Sequence, residues 1–167
     1  HFAPLPIVGV EPGLRPALAA TRNGRVGVMA TAATLCSERF RMLLERESGG
    51  RPVHLQACVG LADAIERGEL DDPALAAVIE RHCAPLRAAG VDSVALGCTH
   101  YPFVRPAIEH ALGAGVTVID TADAVAAQVV RVAATLPATD TSPDHIGRRL
   151  LQSTGDTQAL QRFATHW

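Results

Sequence analysis

Cys98, Thr99 and His100 stand side by side, directly after Gly97 and just ahead of Tyr101-Pro102. A thiol, a hydroxyl and an imidazole in consecutive positions suit proton transfer or nucleophilic attack. A thiol close to a histidine and a helix N-terminus ionises more readily than a free one, and it then serves as base or nucleophile. The plainer reading of Gly-Cys alone is a small buried apolar residue, since cysteine is among the most buried residue types. The polar Thr99-His100 pair that follows argues against that reading here. His100 assists Cys98 only if the turn folds back on itself, and base and nucleophile both remain open for Cys98.

A second set of polar residues, Thr31 and Thr34, follows the apolar run Val26-Gly27-Val28-Met29-Ala30. Hydroxyls at the start of a helix cap it, and together with exposed N–H groups they can bind a carboxylate. Both readings remain open. Asp120-Thr121 ends a third apolar run. No Gly-x-x-x-x-Gly-Lys and no Gly-x-Gly-x-x-Gly occurs, which argues against a nucleotide. The spacing of His54, His82 and His100 relative to the cysteines is not that of a metal site, so no metal is expected.

The elements that must hold these residues follow from local signals. Val94-Ala95-Leu96 is a short apolar run that fits a buried strand, and Gly97 frees the backbone where it ends. Pro102 and Pro106 suit the first turn of the helix beyond, where an N–H is dispensable. Upstream, strands are expected at 7–10, 25–30 and 53–58, and helices at 14–21, after Thr34 through Phe40, Leu43 and Leu44, and from Leu61 towards Gly68. Asp72-Pro73 opens a further helix by an acidic cap followed by proline, and Ala76, Ile79, Cys83 and Leu86 keep its period. Downstream, the pattern predicts a helix at 107–112, a strand at 116–119, a helix at 122–136, an exposed loop at 137–147, a last strand at 149–153 and a helix at 157–167. Strands alternating with helices mean an α/β fold on a mainly parallel sheet. In such a sheet the strand ends bearing Thr31, Cys98 and Asp120 share one edge, where ligands bind.

The chain has 167 residues, 48% of them hydrophobic and 19% charged, with a formal charge of −2. That suffices for a sizeable core and provides no basic field for nucleic acid or an anionic membrane surface. No apolar run is long enough to span a membrane. Cys36, Cys58, Cys83 and Cys98 are widely spaced, which fits reduced thiols in a cytoplasmic protein. The chain opens at His1 on a proline-containing stretch that reads as a linker running into a strand.

Leu96-Gly97-Cys98-Thr99-His100-Tyr101-Pro102-Phe103 resembles the second cysteine motif of bacterial glutamate racemases. Val8-Gly9-Val10-Glu11-Pro12 is similar to that family's crossover into its second domain. Gly27 to Thr34 with Ser37, then Cys58 with Leu61, Ile65, Glu66 and Gly68, then Val118-Ile119-Asp120 and Ser153-Thr154-Gly155-Asp156 resemble further segments in the family's order. The resemblance implies a parallel-sheet, three-layer domain of the aspartate/glutamate racemase type. It implies cofactor-independent interconversion of L- and D-glutamate for peptidoglycan synthesis in the cytoplasm. Two cysteines then work on opposite faces of the substrate. Cys98 matches the one acting on the L-enantiomer, His100 the residue assisting it, Thr99 a substrate contact, and Thr31 and Thr34 positions near the substrate carboxylate. Glutamate is the implied partner, with no nucleic acid and no membrane; a homodimer is compatible with it.

The family's first catalytic cysteine lies in an Ala-Cys-Asn-Thr context, which this sequence does not contain. The resemblance therefore implies that residues 1–102 form the second domain and residues 103–167 the return into an otherwise absent first domain. Such a chain is not expected to racemise alone. A related cysteine-dependent racemase or decarboxylase of another small carboxylate is the alternative enzyme, and a truncated non-catalytic relative the alternative to an enzyme.

Overall fold

The structure, a computed structural model, describes residues 6–67, 72–136 and 150–166. Residues 10–122 form one compact unit and residues 1–9 with 123–167 another. The first of these holds the sheet. Its strands are β1 (Val26–Ala30), β2 (Val53–Ala57), β3 (Ser93–Leu96) and β4 (Thr117–Ile119). All pair in parallel in the order β2-β1-β3-β4, with Val28 level with Leu55 on one side and Ala95 on the other. The chain leaves β1 for β2 on one side and returns to place β3 on the other. The crevice outside the carboxyl ends of β1 and β3 is thus the topological switch point, where open α/β sheets take their ligands.

Helices α1 (Leu14–Ala20), α2 (Ala32–Leu35), α3 (Glu38–Ser48), α4 (Leu61–Glu66), α5 (Pro73–Ala88) and α6 (Arg105–Leu112) surround the sheet. Every residue of β1 and β3 is buried, as expected of strands covered on both faces. Alternation along β1 sends Val26, Val28 and Ala30 to one face, where they pack with Leu14, Ala17, Leu18, Phe40 and Leu43 of α1 and α3. Gly27 faces the other way and lies against Leu86 of α5. The result is three layers, helix on sheet on helix. β2 is an edge strand and only half-buried, with Leu55 exposed.

Local chemistry explains most boundaries. Asp72 caps α5 by accepting from the Ala74 N–H at 2.8 Å, ahead of Pro73. Ser37 caps α3, so the single helix expected after Thr34 is two, α2 and α3, broken at Cys36-Ser37. Asp92, at the start of β3, accepts from the Thr21 hydroxyl and from the N–H groups of Arg22 (2.8 Å) and Asn23 (2.9 Å), tying the end of α1 to the sheet. Arg105 opens α6 and donates to Asp120 at 2.7 Å and to the Val118 carbonyl at 3.1 Å, which fixes α6 on β4. This unit therefore extends through α6 and β4 to Ala122.

The other unit contains α7 (Ala122–Ala133), which begins at the boundary, and α8 (Thr157–His166). Two strand expectations do not hold. Residues 7–10 form no strand, and Ile7 and Val10 are exposed. Residues 150–153 form none either, with Leu150 and Leu151 exposed; Arg149 lies outside the described residues. An apolar run becomes a strand only where a neighbour completes its hydrogen bonds, and short runs at chain ends carry no information about that neighbour. Gly68 and the expected loop at 137–147 also lie outside the described residues. No helix among those described is long and apolar enough to cross a membrane.

Candidate active site

The polar residues that follow β1 and β3 lie at the same edge of the sheet, beside the switch point. Thr31 leaves β1 and caps α2, accepting from the Thr34 N–H at 3.2 Å, and the two threonine hydroxyls are 2.9 Å apart. Gly97 leaves β3 and donates from its N–H to the Met29 carbonyl at 2.7 Å. A Cβ at Gly97 would stand 2.9 Å from the Ala30 Cβ and 3.2 Å from both the Met29 oxygen and a Pro12 carbon. Glycine is needed there because only a bare backbone lets the two strand ends approach so closely. Cys98 follows, half-buried.

The turn after Cys98 does fold back. The Tyr101 N–H reaches the Cys98 carbonyl at 3.2 Å, and a 3-10 turn at Tyr101–Val104 leads into α6 with Pro102 and Pro106 in their first turns. This brings His100 Nδ1 to 3.6 Å from Cys98 Sγ. His100 Nε2 in turn lies 2.7 Å from Glu66 Oε1, at the end of α4. A carboxylate only accepts, so Nε2 carries a proton. Nδ1 is then the atom that faces the sulfur. It accepts from the thiol when the ring is neutral and donates to the thiolate when the ring is charged. The chain Glu66–His100–Cys98 is satisfied in both proton positions, as a base that alternates between them requires.

The other cysteines are placed differently. Cys58, at the end of β2, is 2% exposed, and burial pushes its thiol up to about 12. Cys83, on α5, is fully buried and pushed up by burial to about 11. Neither is available as thiolate near neutral pH. Cys36 is exposed at the end of α2. Tyr101 is fully buried; burial first, and then the neighbouring Cys58 and Cys98, push its phenol up, and its hydroxyl has the Cys58 thiol beside it as a weak partner.

Thr99 is exposed beside Cys98. Asp120 is held by Arg105 and accepts from the Ala122 N–H at 3.1 Å, so its carboxylate is spent on structure. His82 is also spent, on Gln56 and on the Val59 carbonyl. Among the described residues, no three His, Cys, Asp or Glu side chains converge as a metal site. The residue that sequence reasoning passed over is Glu66. It stood only as a helix residue and a motif letter, because no spacing rule connects it to a histidine 34 positions away.

The model of the Asp/Glu/hydantoin racemase family matches residues 2–129. A glutamate racemase of Pseudomonas aeruginosa is 49% identical over 132 residues, 79% of this chain and 50% of that protein. One of Herpetosiphon aurantiacus is 48% identical over 134 residues, 80% of this chain and 52% of that protein. The chain thus spans about half the length of these curated relatives. Among solved structures, Escherichia coli glutamate racemase in complex with L-glutamate and the activator UDP-MurNAc-Ala superposes with a TM-score of 0.78 at 23% identity, over 95% of this chain and 62% of that one. This last likeness is one of fold.

Proposed function

Because the chain belongs to the Asp/Glu/hydantoin racemase family, we propose that it forms one wall of a glutamate racemase active site, with Cys98 as the proton-transfer group for L-glutamate. The observation that carries this reading is the Glu66–His100–Cys98 chain of 2.7 Å and 3.6 Å at the switch-point crevice. The pair of threonine hydroxyls, 2.9 Å apart, lies at the neighbouring strand end.

In this mechanism the Cys98 thiolate removes the α-proton of L-glutamate and becomes a thiol. The electron pair left behind delocalises onto the α-carboxylate, whose developing charge needs donors already in place. Thr31, Thr34 and Thr99 supply hydroxyls to that carboxylate. A proton then arrives at the opposite face of the α-carbon and D-glutamate results. In the reverse direction the Cys98 thiol returns its proton to the carbon. His100, oriented by Glu66, stabilises the thiolate and takes up or returns the proton as the sulfur alternates. No oxidant, metal or cofactor is needed to balance the step.

Inversion requires a second acid–base group facing Cys98 across the substrate. Among the described residues the buried Cys58 and Cys83 are unsuited to that role. A first domain carrying the partner thiol is therefore part of the proposal, as are the assignment of residues 1–102 to the second domain and 103–167 to the return, free glutamate as substrate, a cytoplasmic setting and the supply of D-glutamate to peptidoglycan.

The test is deuterium exchange. The chain is joined to the unmatched part of the Pseudomonas aeruginosa relative and incubated with each enantiomer in D2O. Interconversion with deuterium entering the α-position is expected, and Cys98→Ser abolishes it. Exchange from L-glutamate that persists in Cys98→Ala, or a clear preference for another small carboxylate over glutamate, overturns the reading.

A further inference from the structure

α4 delivers Glu66 to His100, yet its own start lacks the usual anchor. Its N-cap is Gly60, in the left-handed region at φ +78°, with no side-chain cap. The two residues before it, Cys58 and Val59, form the turn out of β2. The Cys58 N–H reaches the Ala30 carbonyl at 2.8 Å, which ties the turn to β1. The Leu61 N–H reaches the Cys58 carbonyl at 3.3 Å, and a further tie comes from α5. His82 is 6% exposed, and its Nε2 lies 3.1 Å from the Val59 carbonyl oxygen. Its Nδ1 lies 3.2 Å from the Gln56 amide nitrogen, which also donates to the Ala57 carbonyl at 3.1 Å.

These contacts determine the protonation of the ring. The Ala57 carbonyl only accepts, so the Gln56 atom is the NH2 donor. His82 Nδ1 must accept from it, and Nε2 must carry the proton that goes to Val59. A second proton on Nδ1 would face an N–H, and burial already disfavours the charged ring. His82 is thus a neutral bridge with each ring nitrogen satisfied, one to a side chain of β2 and one to the backbone of the turn.

We infer that His82 is a positioning residue for the proton-transfer site: by holding the Val59 carbonyl it fixes the entry of α4, and through that short helix the reach of Glu66 to His100. The inference rests on the role proposed for the Glu66–His100–Cys98 chain and adds to it a residue that touches neither substrate nor reacting atoms. α4 spans only Leu61–Glu66, less than two turns, so its entry and Glu66 lie within about 9 Å of each other along the helix.

The test uses this chain itself and does not depend on racemisation. The rate of Cys98 alkylation by iodoacetamide at pH 7 is followed by peptide mass spectrometry. Glu66→Gln is expected to slow it by about tenfold, the effect of losing one charged hydrogen bond. His82→Phe is expected to slow it by a similar factor, and His82→Gln, whose amide can donate to Val59 and accept from Gln56, to restore it. In the Glu66→Gln background His82→Phe is expected to change nothing further. Additive effects, or a normal rate in His82→Phe while Glu66→Gln is slow, overturn the role of His82 and leave the Glu66–His100–Cys98 chain standing. A normal rate in Glu66→Gln overturns both. Should His82→Phe fail to fold, the unsubstituted protein still decides: long-range 1H–15N spectra at pH 7 must show His82 as the neutral Nε2–H tautomer, and the Nδ1–H or charged form overturns the inference.

Discussion

Glu66 Oε1 and His100 Nε2 are 2.7 Å apart although 34 residues separate them, so the end of α4 and the turn after β3 meet over one hydrogen bond. The bond leaves Nδ1 of His100 as the atom facing Cys98. It links Glu66, His100 and Cys98 in a row of polar contacts. If the row serves proton transfer, removing either relay member harms catalysis more than folding. In the joined protein, His100→Phe is expected to lower the rate of α-deuterium exchange from L-glutamate by about 10²-fold. Its urea midpoint should change little, since His100 is partly exposed.

Thr34 separates capping from binding. The Thr31 hydroxyl, not that of Thr34, accepts the capping N–H. Thr34→Val therefore keeps α2 intact. If its hydroxyl meets the substrate carboxylate, KM for glutamate rises by about fivefold, the effect of one hydrogen bond. An unchanged KM would remove Thr34 from the groups that meet the carboxylate.

Gly97→Ala tests the close approach of β1 and β3. The added Cβ meets the Ala30 Cβ at 2.9 Å and backbone at 3.2 Å, and neither can turn aside. A loss of about 1–3 kcal/mol in denaturant unfolding is expected, as for overpacked cores.

Asp92 contributes stability that depends on pH. Burial opposes its charge, but hydrogen bonds from Thr21, Arg22 and Asn23 and the nearby Arg22 guanidinium outweigh that, and its carboxyl lies below its ordinary value. A depressed carboxyl contributes fully above the unfolded value of about 3.9 and loses its contribution as pH falls through the folded one. Stability measured from pH 6 downward should therefore decline more steeply below about pH 4 in the parent than in Asp92→Asn.

Tyr101→Phe is expected to leave stability unchanged or raise it. The ring is fully buried and supplies the packing, while the hydroxyl faces only the weak Cys58 thiol among the described residues and burial pushes it far above the usual phenol range. Removing a poorly satisfied buried hydroxyl removes its desolvation cost. A loss above about 1 kcal/mol in thermal unfolding would mean that the hydroxyl makes a strong hydrogen bond.

Features that depend on neighbours along the chain were legible in the order of residues. Apolar runs of four or five residues between capped helices specify buried parallel strands, and Val26–Ala30 and Ser93–Leu96 are such strands. Gly97, the cap at Asp72 and the prolines after Tyr101 act within one turn, so their effects could be read in order. The placing of Thr31 and Cys98 at one sheet edge followed from the parallel arrangement alone. Tertiary structure decided whatever depends on distant partners. It withheld strands from residues 7–10 and 150–153, where an apolar pattern found no ladder. It separated four similar cysteines by burial, leaving Cys98 half-open beside an imidazole and pushing Cys58 and Cys83 upward. It also brought Glu66 to His100 and set His82, which sequence spacing had weighed only as a metal ligand, on the turn that starts α4. Hydrogen bonds and desolvation act over a few ångströms in space, and no periodicity along the chain records which segments packing brings that close.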